Sequence, residues 1–139
     1  MTNNLLETKT LREQVLPILA FAGLLLAFIG YVKWREYQLV KDSYIRNGAL
    51  ITSYTESPKY RGEYDLEFTF TIGPDTYTGS TRLYHLTDAP YSFIGRHVPV
   101  AYVPNNPGNN KLMMTPKDFE ERYYTYPDSL HWVLPFLGK

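Results

Sequence analysis

The chain of 139 residues contains no cysteine and carries no formal net charge. The absence of cysteine excludes disulfides, thiolate metal ligands and a cysteine nucleophile. Fourteen Lys and Arg residues balance fourteen Asp and Glu residues, so no excess of positive charge is present to attract nucleic acid. The composition therefore excludes a disulfide scaffold and argues against a nucleic-acid partner.

The sequence also lacks the motifs of common enzyme chemistries. Its three histidines, His85, His97 and His131, are scattered along the chain. A zinc site needs three or four ligands at a defined spacing, and no GxSxG, Walker or HExxH sequence occurs. We therefore predict a protein that is not an enzyme, with no catalytic residue, metal site or cofactor.

One long apolar segment is present near the N-terminus. Residues 15–32, VLPILAFAGLLLAFIGYV, are eighteen consecutive uncharged residues. A helix of this length reaches roughly 27 Å, which matches the hydrocarbon thickness of a bilayer. The run is longer than the apolar core of a signal peptide, and no small-residue cleavage site follows it. We expect an uncleaved transmembrane helix after a polar tail of residues 1–14.

Small residues recur within this segment. Ala20, Gly23, Ala27 and Gly30 are spaced by three, four and three positions, which places them on one helix face. Lipid provides no hydrophobic drive for helix association, so close backbone approach at small residues is one of the few attractions available. The spacing predicts a packing face for another membrane protein or a second copy. The alternative is that Gly and Ala are simply frequent in membrane helices.

Aromatic and basic residues follow the apolar segment. Tyr31 and Trp34 are typical of the headgroup region, and Lys33 and Arg35 flank them. More positive residues follow the span than precede it, which favours a cytoplasmic β domain. Helical spacing of apolar residues continues through residues 33–47 and predicts a juxtamembrane helical linker, ending at Asn47-Gly48.

Residues 48–114 predict a small β domain. Apolar and polar residues alternate strictly over Tyr64–Ile72, which indicates a strand with one buried face. Gly73-Pro74-Asp75 then forms a turn before a partner strand at 76–83. Further β-rich runs lie at 49–55, 98–103 and 111–114. Five short strands predict a partly open SH3-like or OB-like barrel, and hence a membrane-anchored, mainly β fold.

Proline residues and their neighbours limit where the last two strands can lie. Pro99 has no N–H for a β ladder, so it must lie at an edge or a bulge. Residues 104–110, PNNPGNN, are a run of turn formers and predict a loop between the fourth and fifth strands.

Several of these segments resemble a known family. Gly48 before a β run, the hairpin YDLEFTFTIGPDTYTG with its Gly79, and Gly95 followed by HVPVAYVPNNPGNNKL together resemble the bacterial family catalogued as domain of unknown function 3592. The resemblance covers residues 15–114 and implies a membrane helix followed by a small β module in the bacterial inner membrane, with no activity assigned. Members often carry a second membrane helix near the C-terminus, whereas the last apolar run here is too short to span.

Residues 115–139 predict a short helix and an apolar tail. Thr115 is a suitable N-cap and Pro116 a suitable first helical residue. The tail carries the large apolar residues Leu130, Trp132, Val133, Leu134, Phe136 and Leu137. Such a segment forms an interface with the membrane or a partner, or it completes the small core of the domain.

The features together predict a function in assembly rather than in catalysis. We expect a single-pass membrane protein that acts as an accessory or assembly subunit of a larger membrane complex, through its helix, β module and tail. The alternative is a membrane-tethered sensor or adaptor whose barrel binds a small ligand, a peptide or a lipid headgroup. The expected partners are membrane lipids and either another membrane protein or a second copy of the chain.

Overall fold

The structure, a computed structural model, describes residues 10–138. The predictions made for residues 1–9 and for Lys139 lie outside the described residues. The described residues divide into two compact units with their boundary between Glu36 and Tyr37, which is earlier than the predicted end of the linker at Asn47. Each unit is described by itself.

Helix α1 comprises Leu11–Lys41, a length of 31 residues. It starts before the predicted span because a polar side chain pairs with an N–H group at the helix start, which has no partner within the helix. The Thr10 N–H donates to the Glu13 carboxylate at 3.3 Å. No residue of α1 is buried. By length and composition, α1 is long and apolar enough to cross a membrane, and it contains the whole predicted segment 15–32.

The helix ends at Lys41, so the prediction of a helical linker over residues 33–47 is wrong for its last part. Strand β1 begins at Tyr44, where Tyr44 pairs with Tyr102 and Ile45 with Ala101. Aromatic and β-branched side chains fit a pleated surface well, and this tertiary pairing overrides the helical spacing of the apolar residues.

The remaining strands form one antiparallel sheet. Their bounds are β1 Tyr44–Glu56, β2 Tyr64–Ile72, β3 Asp75–Leu83, β4 His97–Val103 and β5 Asn106–Leu112. The order is β3-β2-β1-β4-β5, so β4 returns after a long connection to pair with β1. This is a Greek-key order, which is typical of OB-like barrels. The prediction of a mainly β, five-stranded barrel is confirmed.

A bulge in β1 accommodates Pro99 as predicted. The register between β1 and β4 shifts between Arg46 and Ala49, opposite Pro99, so the missing N–H of Pro99 falls where this ladder is interrupted. Gly48 lies in this bulge with φ of +95°. The left-handed backbone expected for a helix end is thus present at Gly48, but it serves the bulge.

Side chains close the barrel between its two outer strands, β3 and β5. The Leu112 N–H donates to the buried Thr81 hydroxyl at 2.9 Å, and the Asn110 amide donates to the Thr78 carbonyl at 3.4 Å. A Cβ at Gly79 would overlap both the Phe68 ring and the Asn110 side chain. Glycine at this position therefore leaves room for both side chains at the seam between β3 and β5.

The core lies inside the barrel, and β2 contributes its alternate residues as predicted. Leu66, Phe68 and Phe70 are buried.

Strand β5 begins at Asn106, so the loop prediction for residues 104–110 is wrong from that residue onward. Pairing with β4, including Tyr102 with Asn110, overrides the turn propensity of this segment.

Two short helical segments follow the barrel. Helix α2 comprises Pro116–Glu120, with Thr115 as its N-cap and Pro116 in its first turn, as predicted. A 3₁₀ segment then covers Asp128–Phe136 and contains most of the apolar tail.

Candidate functional site

The predicted packing residues form an open strip on α1. Ala20, Gly23, Ala27 and Gly30 are all exposed, and a Cβ added to Gly23 or Gly30 would meet nothing within 4 Å. At 3.6 residues per turn, the four positions fall within a sector about 80° wide. The strip is thus available to another helix.

The predicted interface residues lie together on the turn that follows this strip. The ring centroids of Tyr31 and Trp34 are 6.2 Å apart, and the Arg35 guanidinium lies 5.9 Å from the Tyr31 ring centroid. The Lys33 ammonium is 3.9 Å from the Glu36 carboxylate. The structure places these residues next to one another at the end of the apolar segment.

The predicted tail residues largely belong to the core. Leu130 is 2% exposed and Val133 is fully buried, so for these two residues the structure favours the second alternative, completion of the core. The Trp132 and Phe136 rings each contact the Phe93 ring edge-on, with centroids 4.9 Å apart.

Backbone hydrogen bonds hold the end of this tail. Leu137 pairs with Leu86 in an isolated β bridge, and the Thr87 N–H donates to the Phe136 carbonyl at 2.9 Å. Leu134 is the most exposed of the predicted tail residues, at 39%. A short apolar run can pack on its own domain as well as on a partner, and here it packs on its own domain.

A buried carboxylate organises the corner between β5 and α2. Asp118 is 4% exposed; it accepts N–H bonds from Met114 at 3.0 Å and Thr115 at 2.9 Å and lies 2.7 Å from the Lys111 ammonium. Burial alone raises the pKa of Asp118, but the Lys111 charge and these hydrogen bonds outweigh it, so the pKa is below its ordinary value.

Tyr126 connects the corner between β5 and α2 to the apolar tail by hydrogen bonds. Its hydroxyl lies 2.8 Å from both the Met114 and the Leu130 carbonyl oxygens, so one O–H donor is shared between the two chain segments. Burial, with the nearby Asp118 charge, raises the pKa of Tyr126 to about 12. The phenol therefore remains a donor at neutral pH.

Arg122 connects this corner to the last turn of α1. Its guanidinium donates to the Asp118 carbonyl at 2.8 Å and to the Leu39 carbonyl at 2.7 Å. The Ser43 hydroxyl also donates to the Leu39 carbonyl. A cation at a helix C-terminus satisfies free carbonyls and complements the helix dipole. Burial lowers the pKa of Arg122.

Two adjoining grooves lie beside this connection. The larger, of about 690 Å³, is lined by Tyr44, Tyr102 and Tyr124 together with Arg46. The smaller, of about 220 Å³, is lined by Lys41, Tyr123 and Tyr124 among others. Ser43, Ile45 and Tyr124 line both grooves, so the two form one continuous surface.

Tyr123 occupies an unusual backbone position on this surface. The Tyr124 N–H donates to the Phe119 carbonyl and the Tyr123 N–H to the Glu120 carbonyl, both at 3.0 Å. This is the Schellman pattern, in which the residue at the position of Tyr123 is usually glycine. Tyr123 has φ of +60°, a conformation that costs a non-glycine residue about 1–2 kcal/mol.

Sequence reasoning did not identify the groove residues. One signal for the groove residues was present in the sequence, which contains thirteen tyrosines, with Tyr123 and Tyr124 consecutive. The spacing of four between Asp118 and Arg122 is also a helical pairing distance. The contact of Arg122 with Leu39 depends on tertiary structure, and no local pattern indicates it.

Within residues 10–138, no group of three or more His, Asp or Glu side chains is arranged to hold a metal ion. Comparison of the chain with protein-family models, with curated proteins and with solved structures gives no match. The resemblance to domain of unknown function 3592 stays a prediction.

Proposed function

We propose that this chain is a non-enzymatic, single-pass protein of the bacterial inner membrane that acts as an accessory or assembly subunit of a larger membrane complex. Helix α1 is its main assembly surface, and the partner is another membrane protein or a second copy. The strip formed by Ala20, Gly23, Ala27 and Gly30 carries the proposal, because it is exposed on a helix with no buried residue. The excess of positive residues after the span supports a cytoplasmic β domain.

The tail contributes less to this proposal than its sequence indicates. Leu130 and Val133 are core residues, so a partner would have to displace them from the domain. Assembly therefore rests on the helix strip and on the outer surface of the barrel.

Matched substitutions in α1 test the helix strip. Ala27 lies on the strip, whereas Ala22 lies off it, about 120° from its centre. We expect Ala27→Leu to abolish the native complex purified in mild detergent and Ala22→Leu to leave it intact, since only the first enlarges the packing face. The measurement is the mass and subunit content of the purified complex.

Crosslinking identifies the neighbour, because the chain has no native cysteine. A cysteine at position 27 should form crosslinks in membranes that a cysteine at position 22 does not form. A disulfide between two copies would identify a homo-oligomer. A wild-type protein that purifies as a lone monomer, or equal effects of the two leucine variants, would contradict the proposal.

A second candidate function is a membrane-tethered sensor or adaptor. The groove of about 690 Å³ lined by tyrosines and Arg46 favours it, because aromatic rings with a few polar groups are typical of binding surfaces. A ligand bound there would contact β1, β4 and the segment after α2. Its saturable protection of Tyr102 and Tyr124 from chemical modification would support this function, and unchanged modification would count against it.

A further inference from the structure

The exposed residues around the two grooves form a distinct patch, which we call the tyrosine surface: Lys41, Tyr44, Arg46, Tyr123 and Tyr124. The three tyrosines are 64%, 90% and 60% exposed, respectively. We propose that the tyrosine surface docks on the lipid headgroup region of the bilayer that α1 enters. This inference rests on the membrane anchoring in the proposed function.

The chemistry of the surface suits a headgroup layer. A tyrosine ring is apolar while its hydroxyl is polar, so tyrosine is enriched where one end of the side chain meets lipid and the other meets water. The Lys41 ammonium lies 5.9 Å from the Tyr123 ring centroid. Aromatic rings beside cations suit an interface in which acyl-chain ends lie next to phosphates.

The charges of the surface favour anionic lipid. Lys41 and Arg46 form no ion pair with any residue between 10 and 138. The nearby Glu121 carboxylate is 3.6 Å from the Lys117 ammonium, while Asp42 carries one opposing charge. The surface thus has a small positive excess, which attracts phosphate groups of either lipid or solution and favours an anionic bilayer.

Along the sequence, this surface begins soon after the predicted membrane interface. Lys41 is the last residue of α1 and Tyr44 the first of β1. Tyr37, which is 60% exposed, precedes Lys41 by four residues, or about 6 Å of helix. Aromatic residues therefore recur from Tyr31 to the tyrosine surface at intervals of no more than seven residues.

The conformation of Tyr123 gives independent support. Its position in the Schellman turn favours glycine, yet the chain places there a ring that is 90% exposed. Because the ring is 90% exposed, it adds little buried area to the domain, and burial does not offset the cost of this conformation. Docking on lipid would give the exposed ring a binding partner. A strained backbone conformation, such as that of Tyr123, is also frequent at functional positions.

Site-directed spin labelling of the full chain tests the docking. Because the chain has no cysteine, a nitroxide can be attached at Thr125→Cys, which lines the larger groove and keeps all tyrosines. Ser92→Cys, an exposed position that lines neither groove, is the matched control. Leu25→Cys reports on insertion of α1. The measurement is collision of each label with oxygen and with a soluble nickel chelate.

The probes are vesicles of phosphatidylcholine alone and with added phosphatidylglycerol. We expect the collision rate with the nickel chelate to be several-fold lower at position 125 than at position 92, with a larger difference in the anionic vesicles. Inorganic phosphate should not reproduce the protection in detergent micelles. Protection by phosphate alone would overturn the proposal, because it would identify a site for the free anion.

Two variants separate docking from folding. Tyr123→Gly combined with Tyr124→Ser should restore the collision rate at position 125 to that at position 92, and glycine suits the Schellman turn. Lys41→Gln combined with Arg46→Gln should remove only the additional effect of anionic lipid. Persistence of the full protection in the tyrosine variant would overturn the proposal.

The remaining outcomes distinguish the alternatives. A water-accessible label at position 25 would show that α1 is not inserted and that the anchoring itself fails. A lipid-embedded label at 25, with equal accessibility at 125 and 92, would overturn docking alone. Protection at 125 that disappears on dilution of the chain in lipid would assign the surface to a second copy and also overturn the proposal.

Discussion

The guanidinium of Arg122 lies 2.7 Å from the main-chain carbonyl of Leu39, across 83 residues of sequence. Leu39 is in the last turn of α1, where four carbonyls have no partner within the helix. The same guanidinium also donates to the Asp118 carbonyl. One side chain therefore links the end of the helix with the corner that follows the barrel.

Replacement of Arg122 by alanine should destabilise the unit formed by residues 37–139. Two hydrogen bonds from a charged donor are lost, and the Leu39 and Asp118 carbonyls lose that donor, for an expected loss of about 1.5–3 kcal/mol in the free energy of unfolding. Denaturant titration in detergent, followed by near-ultraviolet circular dichroism, measures the change. Arg61→Ala, in an exposed loop, should have almost no effect, and similar losses for the two variants would contradict the role of Arg122.

The buried Asp118 should make stability depend on pH. Its folded-state pKa is lowered, so the stabilisation is fully present above the unfolded-state pKa of about 3.9 and is lost as the pH falls through the folded-state value. Asp118→Asn should lower stability at pH 7 by about 1–3 kcal/mol and flatten the acid limb of the curve.

Asp65 provides a matched comparison for that curve. Arg82 lowers the pKa of Asp65 through a hydrogen-bonded ion pair, but about a third of the Asp65 side chain is exposed. Solvent screens such a pair, so Asp65→Asn should change the pH dependence much less than Asp118→Asn. An unaltered acid limb in Asp118→Asn would show that other carboxylates determine the curve.

Gly79→Ala should weaken the seam between β3 and β5. The added methyl group would overlap the Phe68 ring and the Asn110 side chain, and overpacking of this kind costs about 1–3 kcal/mol. Ser80→Ala, on the exposed neighbouring position, is the control. Thermal unfolding measures both variants, and a Gly79→Ala protein as stable as wild type would show that the ring and amide relax freely.

Leu130 and Leu134 should differ sharply in their effect on stability. Leu130 is 2% exposed and Leu134 is 39% exposed. Leu130→Ala should lower the free energy of unfolding by about 2–5 kcal/mol, as expected for a core cavity, whereas Leu134→Ala should have a small effect. If Leu130→Ala retains full stability and loses only a partner, the tail is an interface after all.

Local patterns predicted the parts of this fold that depend on period and on turn chemistry. The alternation from Tyr64 to Ile72 located β2, and Thr115-Pro116 located the start of α2. The bulge opposite Pro99 followed from the missing N–H of proline. A few neighbouring residues of sequence determine each of these features. They do not determine which strand pairs with β2 or across the bulge.

The features that sequence did not predict depend on distant partners. The segment 44–47 is strand because β4 pairs with it, and residues 106–110 are strand for the same reason. Whether Leu130 faces the core or a partner depends on Phe93 and its neighbours, which no local pattern contains. The tyrosine surface likewise exists only once β1, β4 and the segment after α2 are assembled.

The contact between Arg122 and Leu39 also imposes an order on biosynthesis. Leu39 leaves the ribosome 83 residues before Arg122, which is roughly 4 to 17 s of translation. During that interval the last carbonyls of α1 have only water, neighbouring side chains such as Ser43, or lipid headgroups as partners. The domain therefore acquires its link to the helix end as a late step, after all five strands of the barrel have been synthesised.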